Sequence, residues 1–181
     1  MTATPQEKES KWILDYLQPK SDFPKQGVTF QWYGPLLRDP KALHRITQEL
    51  AQRYREMHID VIAGLDARGF IFGATLAYEL RVPFVLVRKE GKLPGDIVST
   101  SYTMEYGTKT VEMESESIQP NQKVLVVDDV LATGGTTLAA CTLIEKLGGQ
   151  VAEVCCLMEI AGLPGREALT NYPVFTLVRV E

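Results

Sequence analysis

The chain has 181 residues, of which 45% are hydrophobic and 23% charged, and its formal net charge is −4. This length suits one domain with a substantial core, and the composition is that of an ordinary globular protein. An acidic chain is a poor match for a protein that binds nucleic acid by neutralising phosphates, so we expect no nucleic-acid partner.

The sequence also argues against a membrane or secreted protein. No run of residues approaches the ~20 apolar positions that a membrane span needs. The N-terminus lacks the cationic start and apolar core of a secretory signal. The three cysteines are an odd number without C-x-x-C spacing, which predicts reduced and mostly buried thiols. We therefore expect a cytoplasmic protein without a membrane partner.

Residues 6–57 predict two helices with a loop between them. Apolar side chains at helical spacing within residues 6–17 predict a short amphipathic helix. The stretch "KSDFPKQGVTFQWYGP", residues 20–35, is rich in Pro and Gly and is predicted to be a loop. A second helix is predicted within residues 39–57, because Asp39 is a suitable N-cap and Pro40 a suitable first helical residue.

From residue 60 onward, short apolar strands alternate with helices. The strand segments are "DVIAGLD" (60–66), "PFVLVR" (83–88), "KVLVVDD" (123–129), "AEVCCLMEI" (152–160) and "VFTLVRV" (174–180). The helical segments are "RGFIFGATLAYEL" (68–80) and "TTLAACTLIEKLGG" (136–149). Strands that are apolar throughout and alternate with helices predict an α/β fold, a doubly wound and mainly parallel sheet covered on both faces.

One segment interrupts this alternation. Residues 91–115, "GKLPGDIVSTSYTMEYGTKTVEMES", carry β-type residues on both sides of Tyr106-Gly107. This pattern predicts a polar hairpin or a long flexible excursion between core strands. Long excursions in compact domains are usually functional.

An acidic pair stands at the carboxyl end of the third strand segment. In a doubly wound sheet, ligands bind beyond the carboxyl ends of the strands, which is where Asp128 and Asp129 fall. The next helix begins near Gly135, and the N–H groups of residues 132–136 and of its first turn would be available to an anion. The carboxylates supply acceptors for hydroxyl groups or a metal, and the turn supplies donors for a phosphate. A sugar phosphate needs both within a few ångströms.

Other phosphate-binding and catalytic motifs are absent from the sequence. It contains no G-x-x-x-x-G-K-[ST], no G-x-G-x-x-G, no G-x-S-x-G and no H-E-x-x-H. A strand ending in Asp-Asp also resembles the start of a response-regulator receiver domain. That module needs a further aspartate downstream as phospho-acceptor, and none follows Asp129.

The stretch "VLVVDDVLATGGTT", residues 124–137, resembles the phosphoribosyl-pyrophosphate motif of type I phosphoribosyltransferases. Within that family, the chain from residue 22 onward is similar to the adenine phosphoribosyltransferases. The segments that carry this similarity are "DFPKQGVTF" (22–30), "IAGLDARGFIFG" (62–73), "VRKEGKLPG" (87–95), "YTMEYG" (102–107) and "GLPGREAL" (162–169). The resemblance implies one domain over residues 1–181, with an N-terminal hood at about 1–38 and a flexible catalytic loop at about 93–111.

The resemblance implies transfer of the 5-phosphoribosyl group from phosphoribosyl pyrophosphate to adenine, giving AMP and pyrophosphate. Asp128 and Asp129 would face the ribose hydroxyls, and Asp128 would contact Mg²⁺ at most indirectly, because the substrate carries the ion. The 5′-phosphate would bind the backbone of Ala132, Thr133, Gly134, Gly135 and Thr136. The leaving pyrophosphate would meet the cations Arg68, Arg88, Lys89 and Lys92, with Ala67 and Gly69 completing the turn around Arg68. The family also has a cis peptide before that turn's arginine, here Asp66–Ala67.

The base pocket and the catalytic loop are assigned in the same way. The resemblance implies that Phe30 stacks on adenine, with Val130 and Ile160 on the opposite face, and that the backbones of Thr29 and Gln31 contact the adenine edge. Glu105 corresponds to the loop glutamate that handles the base proton, and Tyr106 would help to shield the site.

The sequence departs from the family beside the base pocket. After the stacking phenylalanine the family usually has a basic residue, then Asp, then Ile or Val, whereas this chain has Gln31-Trp32-Tyr33. Ala67 also stands where Ser is commoner. The first departure leaves base preference open. Two alternatives to adenine transfer therefore remain: the same transfer to another purine such as hypoxanthine or guanine, and a non-catalytic regulator that senses phosphoribosyl pyrophosphate. By resemblance we expect a homodimer.

Overall fold

The structure, a computed structural model, describes residues 10–104 and 107–181, with the backbone alone for residues 103 and 104. Its N-terminal part contains a 3-10 helix at Lys11–Tyr16, a two-stranded antiparallel sheet, and two α-helices. The strands are β1 (Gln18–Lys20) and β2 (Phe30–Trp32), and the helices are α1 (Gly34–Arg38) and α2 (Pro40–Tyr54). The elements between residues 55 and 181 form the main sheet and its covering helices.

Two predictions for this N-terminal part need correction. The helix predicted within residues 6–17 is a 3-10 helix of six residues. The loop predicted at 20–35 contains β2 and the start of α1. A three-residue strand is too short to show a period, and Pro35 lies at the first turn of α1, where proline is tolerated. The predicted second helix is confirmed as α2, with Pro40 as its first residue. Asp39 is its N-cap, as predicted, and its side chain accepts a hydrogen bond of 2.9 Å from the Lys41 backbone N–H.

A seven-stranded, mainly parallel sheet forms the centre of the protein. Its strands are β3 Val61–Leu65, β4 Phe84–Lys89, β5 Ile97–Met104, β6 Gly107–Glu114, β7 Lys123–Leu131, β8 Gln150–Ile160 and β9 Val174–Val180. They lie in the order β5-β6-β4-β3-β7-β8-β9, and β4, β3, β7, β8 and β9 are parallel to one another. The covering helices are α3 (Gly69–Leu80) and α4 (Gly135–Lys146), and a short α5 spans Gly165–Ala168. The predicted α/β fold is confirmed.

Each face of this sheet supports its own apolar cluster. Ile62 of β3 packs in one cluster with α2 and α3, whereas Val61, Ala63 and Leu65 pack in the other with α4. Successive side chains of a strand point to opposite faces, so a strand buried on both faces must be apolar at every position. This explains the continuous apolar runs in the sequence.

The interrupting segment is a hairpin that extends the sheet. Strands β5 and β6 pair antiparallel from Ile97↔Glu114 to Met104↔Gly107, and β6 also pairs antiparallel with β4. The predicted hairpin is therefore confirmed for its described part, and its docking on β4 adds two antiparallel strands at one edge of the sheet.

All three cysteines, Cys141, Cys155 and Cys156, are buried thiols outside any disulfide, as predicted. Burial raises the pKa of the Cys141 thiol to about 12. Among the helices that the structure describes, none combines the length and apolar character that a bilayer crossing requires.

Candidate active site

A cavity of about 910 Å³ opens at the carboxyl ends of the parallel strands, between the N-terminal strand β2 and the β5–β6 hairpin. Its lining includes most of the residues singled out from the sequence. These are Thr29, Phe30, Gln31, Ala67, Arg68, Lys89, Asp128, Asp129, Val130, Ala132, Thr136 and Ile160. The fold thus brings together residues from five separate segments of the chain, at the edge where doubly wound sheets bind ligands.

The acidic pair lies at the end of β7, on the floor of this cavity. Asp129 is buried, and its Oδ2 atom accepts hydrogen bonds from the Tyr33 hydroxyl at 2.8 Å and pairs with Arg68 Nε at 2.6 Å. The Oδ1 atom of Asp128 accepts a hydrogen bond from the Asp129 backbone N–H at 2.8 Å. Burial, and then the charge of Asp129, raise the pKa of Asp128 well above its ordinary value. The two neighbouring carboxyl groups therefore differ in their surroundings. Asp129 is paired directly with Arg68, whereas Asp128 accepts a hydrogen bond from a backbone N–H group.

The loop after β7 has the geometry of a candidate anion site at the start of α4. Its N-cap, Gly134, has a φ of 78° and has no side chain that could bond to the first-turn N–H groups. A Cβ atom at Gly134 would lie 2.9 Å from the Gly165 carbonyl oxygen, so glycine is required there for space as well as for conformation. The first N–H groups of α4 are consequently available to an anion in the cavity, beside Ala132 and Thr136.

The turn after β3 carries Arg68 and has the expected cis peptide at Asp66–Ala67. Helix α3 starts directly after it, and Gly69 packs against β7, where an added Cβ would lie 2.6 Å from the Val127 carbonyl oxygen and 3.2 Å from Asp128 Oδ1. The guanidinium of Arg68 is 5.0 Å from the centre of the Phe30 ring. Arg68 therefore lies between the acidic pair and the candidate base-stacking residue.

The other cations predicted to meet the pyrophosphate differ in their distance from the cavity. Lys89 lines the cavity and is exposed, whereas Lys92 and Arg88 are not among the lining residues. Arg88 Nε pairs with Asp66 Oδ2 at 3.2 Å, and its Nη1 donates to the Lys92 carbonyl oxygen at 3.2 Å. Arg88 thus connects the Arg68 turn to the segment that leads into β5.

On the base side, Phe30 is half-buried on β2, with Val130 and Ile160 lining the same cavity from β7 and β8. Thr29 and Gln31 flank Phe30. Thr133, Gly134 and Gly135 belong to the α4 loop but are not lining residues, and Gly135 lies beneath the Tyr102 ring. Glu105 and Tyr106 lie outside the described residues, so their predicted roles stay predictions.

Sequence reasoning missed two tyrosines at this site. Tyr33 bonds to Asp129, as described above. Tyr102 lines the cavity, and its hydroxyl lies 2.6 Å from Thr136 Oγ1, either oxygen being able to donate. Tyr102 belongs to the "YTMEYG" segment quoted above, and Tyr33 belongs to the divergent triplet. Both positions were thus visible in the sequence, but their contacts were not.

Comparisons with known proteins agree with this fold and indicate the family of the chain. A model of the phosphoribosyl transferase domain matches residues 33–178. The adenine phosphoribosyltransferase of Agathobacter rectalis is 46% identical over 168 residues, covering 93% of this chain and 97% of that protein. The crystal structure of adenine phosphoribosyltransferase from Thermoanaerobacter pseudethanolicus has a TM-score of 0.91 and 42% identity, covering 94% of this chain and 99% of that one. The Trypanosoma brucei enzyme, solved in complex with AMP, pyrophosphate and ribose-5-phosphate, has a TM-score of 0.86 and 31% identity, covering 93% of this chain and 78% of that one.

Proposed function

Since the chain belongs to the phosphoribosyltransferase family, we propose that it transfers the 5-phosphoribosyl group of phosphoribosyl pyrophosphate to adenine, producing AMP and pyrophosphate. This places the protein in purine salvage. The choice of adenine is supported by relatives named adenine phosphoribosyltransferase that cover almost the whole chain.

The observation that carries the proposal is one cavity that holds two carboxyl groups beside an anion site. Asp128 and Asp129 end β7, and the N-terminus of α4 follows after one short loop. A ribose 5-phosphate offers hydroxyl groups at one end and a phosphate at the other. Its hydroxyls would bind the carboxyl groups, and its phosphate would bind the N–H groups of residues 132–136.

The same residues suit the chemistry of the transfer. A ring nitrogen of adenine attacks the anomeric carbon while the bond from that carbon to the pyrophosphate oxygen breaks, so positive charge develops on the ribose. Fixed carboxylates beside the ring stabilise that charge more strongly in the transition state than in the ground state. The base loses a proton on forming AMP, and Glu105 would accept it as general base.

Arg68 is the group best placed to meet the leaving pyrophosphate. Its side chain is 41% exposed, so it is able to turn from Asp129 towards a phosphate without leaving a buried site. Lys89 adds a second cation at the cavity wall, and Lys92 would join from the segment before β5. Closure of the loop at about 93–111 would exclude water from the cationic transition state.

Magnesium would enter with the substrate. Among residues 10–104 and 107–181, no cluster of three or more His, Cys, Asp or Glu could hold a metal ion, and Mg²⁺ commonly binds through one or two carboxylates together with substrate phosphates. The acidic pair fits that limited role, with Asp128 acting indirectly. When bound, the ion would neutralise charge on the pyrophosphate.

The base would lie between Phe30 on one side and Val130 and Ile160 on the other, with the Thr29 and Gln31 backbones at its edge. This assignment is supported by the placement of all five residues on the cavity wall. The hood that closes over the base would comprise about residues 1–38 of the single domain.

We further propose a cytoplasmic homodimer. Several large apolar side chains are exposed in the chain alone, including Trp32 at 40% and Tyr78 at 86%. A second copy would cover such residues. Sedimentation of the purified protein would report the dimer directly.

The decisive experiment is to mix the protein with phosphoribosyl pyrophosphate, Mg²⁺ and adenine, hypoxanthine or guanine, and to identify the nucleotide formed. AMP formed in preference to the other nucleotides supports the proposal. A preference for another purine would assign that purine, and not adenine, as the substrate. Tight binding of phosphoribosyl pyrophosphate without turnover on any purine would favour the non-catalytic regulator.

A further inference from the structure

Tyr33 connects the base side of the cavity to the ribose side, through a contact that no part of the proposed mechanism yet uses. It follows β2, the strand that carries Phe30, and is the N-cap of α1. Its hydroxyl donates a hydrogen bond of 2.8 Å to Asp129 Oδ2, on a residue 96 positions away in sequence. One side chain thus joins the strand that faces the base to the carboxylate that faces the ribose.

The surroundings of Tyr33 hold this hydroxyl in one place. The residue is 1% exposed, and its ring lies 5.8 Å from the Phe72 ring. The ring of its neighbour Trp32 stacks 6.4 Å from the Tyr33 ring and packs over Gly34, where an added side chain would collide with the indole. Trp32 is 40% exposed, so of these two adjacent aromatic residues the buried one reaches Asp129.

The Tyr33 hydroxyl keeps its proton and donates it in a hydrogen bond to Asp129. Burial is the main cause that raises the pKa of Tyr33 far above its ordinary value, followed by the charge of Asp129. Tyrosine is therefore neutral at any pH at which the protein would work. A neutral hydroxyl beside a buried carboxylate forms a strong, charge-assisted hydrogen bond.

Both partners of Asp129 bind the same oxygen atom. Arg68 Nε lies 2.6 Å from Oδ2, and the Tyr33 hydroxyl is 2.8 Å from it. Arg68 is partly exposed and is the proposed partner of the leaving pyrophosphate, whereas Tyr33 is fixed in the core. If Arg68 turned away, the Tyr33 hydroxyl would still hold Oδ2 and so limit rotation of the Asp129 carboxylate.

We propose that Tyr33 is a positioning residue, whose hydroxyl fixes the orientation of Asp129 relative to the strand that carries Phe30. Resting on the proposed function, this assigns a role to the third residue of the divergent triplet Gln31-Trp32-Tyr33. It predicts that loss of one oxygen atom at position 33 lowers the rate of transfer without removing substrate binding.

The test is Tyr33→Phe, with Tyr54→Phe as a matched control. Tyr54 is also 1% exposed, and its hydroxyl donates a 2.7 Å hydrogen bond to Glu153 Oε2, a buried carboxylate that also bonds to an arginine, Arg53. Neither Tyr54 nor Glu153 lines the candidate active site. The two substitutions therefore delete the same type of contact from the same type of setting.

We expect both variants to unfold at similarly lowered temperatures. We expect kcat to fall about tenfold in Y33F, the size of one hydrogen bond to a charged group, while the KM values for both substrates change much less. In Y54F, kcat should stay at the unsubstituted value. A Y33F enzyme with unchanged kcat and a melting temperature lowered like that of Y54F would overturn the proposal.

A double-mutant cycle with Asp129→Asn provides a second test, because it measures whether Tyr33 acts through Asp129. The hydroxyl acts through the Asp129 carboxylate, so adding Y33F to D129N should lower the residual kcat much less than it lowers that of the unsubstituted chain. Equal effects in both backgrounds contradict a role through Asp129. If the unsubstituted chain forms no AMP, the proposed function fails. If it forms AMP and its kcat is unchanged by Y33F, only the inference about Tyr33 is refuted.

Discussion

Replacing Gly69 with alanine should separate α3 from the strand that carries the acidic pair. Gly69 is the first residue of α3 and lies against β7. Its added Cβ would lie 2.6 Å from the Val127 carbonyl oxygen, 3.0 Å from Asp128 Cα and 3.2 Å from Asp128 Oδ1. The two nearest atoms belong to the backbone, so no side-chain rotation is able to relieve the contact.

The magnitude follows from these distances. Ordinary van der Waals contact begins near 3.4 Å, so the helix and the strand must move apart by roughly 0.8 Å at this point. Overpacking of this kind typically costs about 1–3 kcal/mol, and alanine returns up to about 1 kcal/mol through its higher helix propensity. A displacement near 1 Å in a catalytic group lowers activity by about 10²-fold. We therefore expect a loss of about 1–2 kcal/mol of stability in G69A, and a loss of kcat/KM of about 10- to 100-fold.

The assays are urea unfolding and AMP formation at saturating and limiting phosphoribosyl pyrophosphate. Gly73→Ala is the matched control, because Gly73 lies one turn later in α3 and its added Cβ would first meet the side chain of Phe84, at 2.7 Å. G73A should lose stability as well, but it should keep kcat/KM. A G69A enzyme that is as active as G73A would refute the argument that Gly69 sets the position of Asp128.

Two further substitutions test the acidic pair and the anion site. Burial raises the pKa of Asp128, so its carboxyl group destabilises the folded chain increasingly as pH rises from the unfolded pKa, about 4, through the folded pKa. The D128N substitution should remove this pH dependence, raise the stability of the ligand-free protein at pH 7 in urea unfolding, and abolish most activity. If the stability of D128N depended on pH as strongly as that of the unsubstituted chain, or more strongly, the raised pKa of Asp128 would be contradicted. Tyr102→Phe should raise the KM for phosphoribosyl pyrophosphate about fivefold, because the hydroxyl bonded to Thr136 holds the hairpin over the anion site; Ser101→Ala, which removes an exposed hydroxyl bonded within the hairpin, should leave that KM unchanged.

Much of the central sheet could be predicted because its signals are local. The strands at residues 61–65 and 123–131 are continuous apolar runs, and the helix between 135 and 146 ends at glycines, so each element is visible within a few residues. The acidic pair and the anion site belong to one strand–loop–helix unit. The two features are therefore close in space because they are close in sequence, and this does not depend on the rest of the fold.

The parts that were missed depend on contacts between distant residues. The sequence indicated the hairpin but not that β6 would dock on β4, where Val111 and Met113 become buried and the Glu112 carboxylate accepts a hydrogen bond from the Gly91 N–H. The three-residue strand β2 was too short to produce a period. The bond from Tyr33 to Asp129 spans 96 positions, and no local pattern could reveal it.

The burial of all three cysteines makes the protein convenient for site-directed labelling. Cys141, Cys155 and Cys156 lie in the core, and their thiols would react slowly with maleimides while the protein stays folded. A cysteine placed at the exposed Ser99 on β5 would therefore take up a fluorophore selectively. Such a reporter on the hairpin would test, by stopped-flow mixing, whether the proposed closure occurs as each substrate binds.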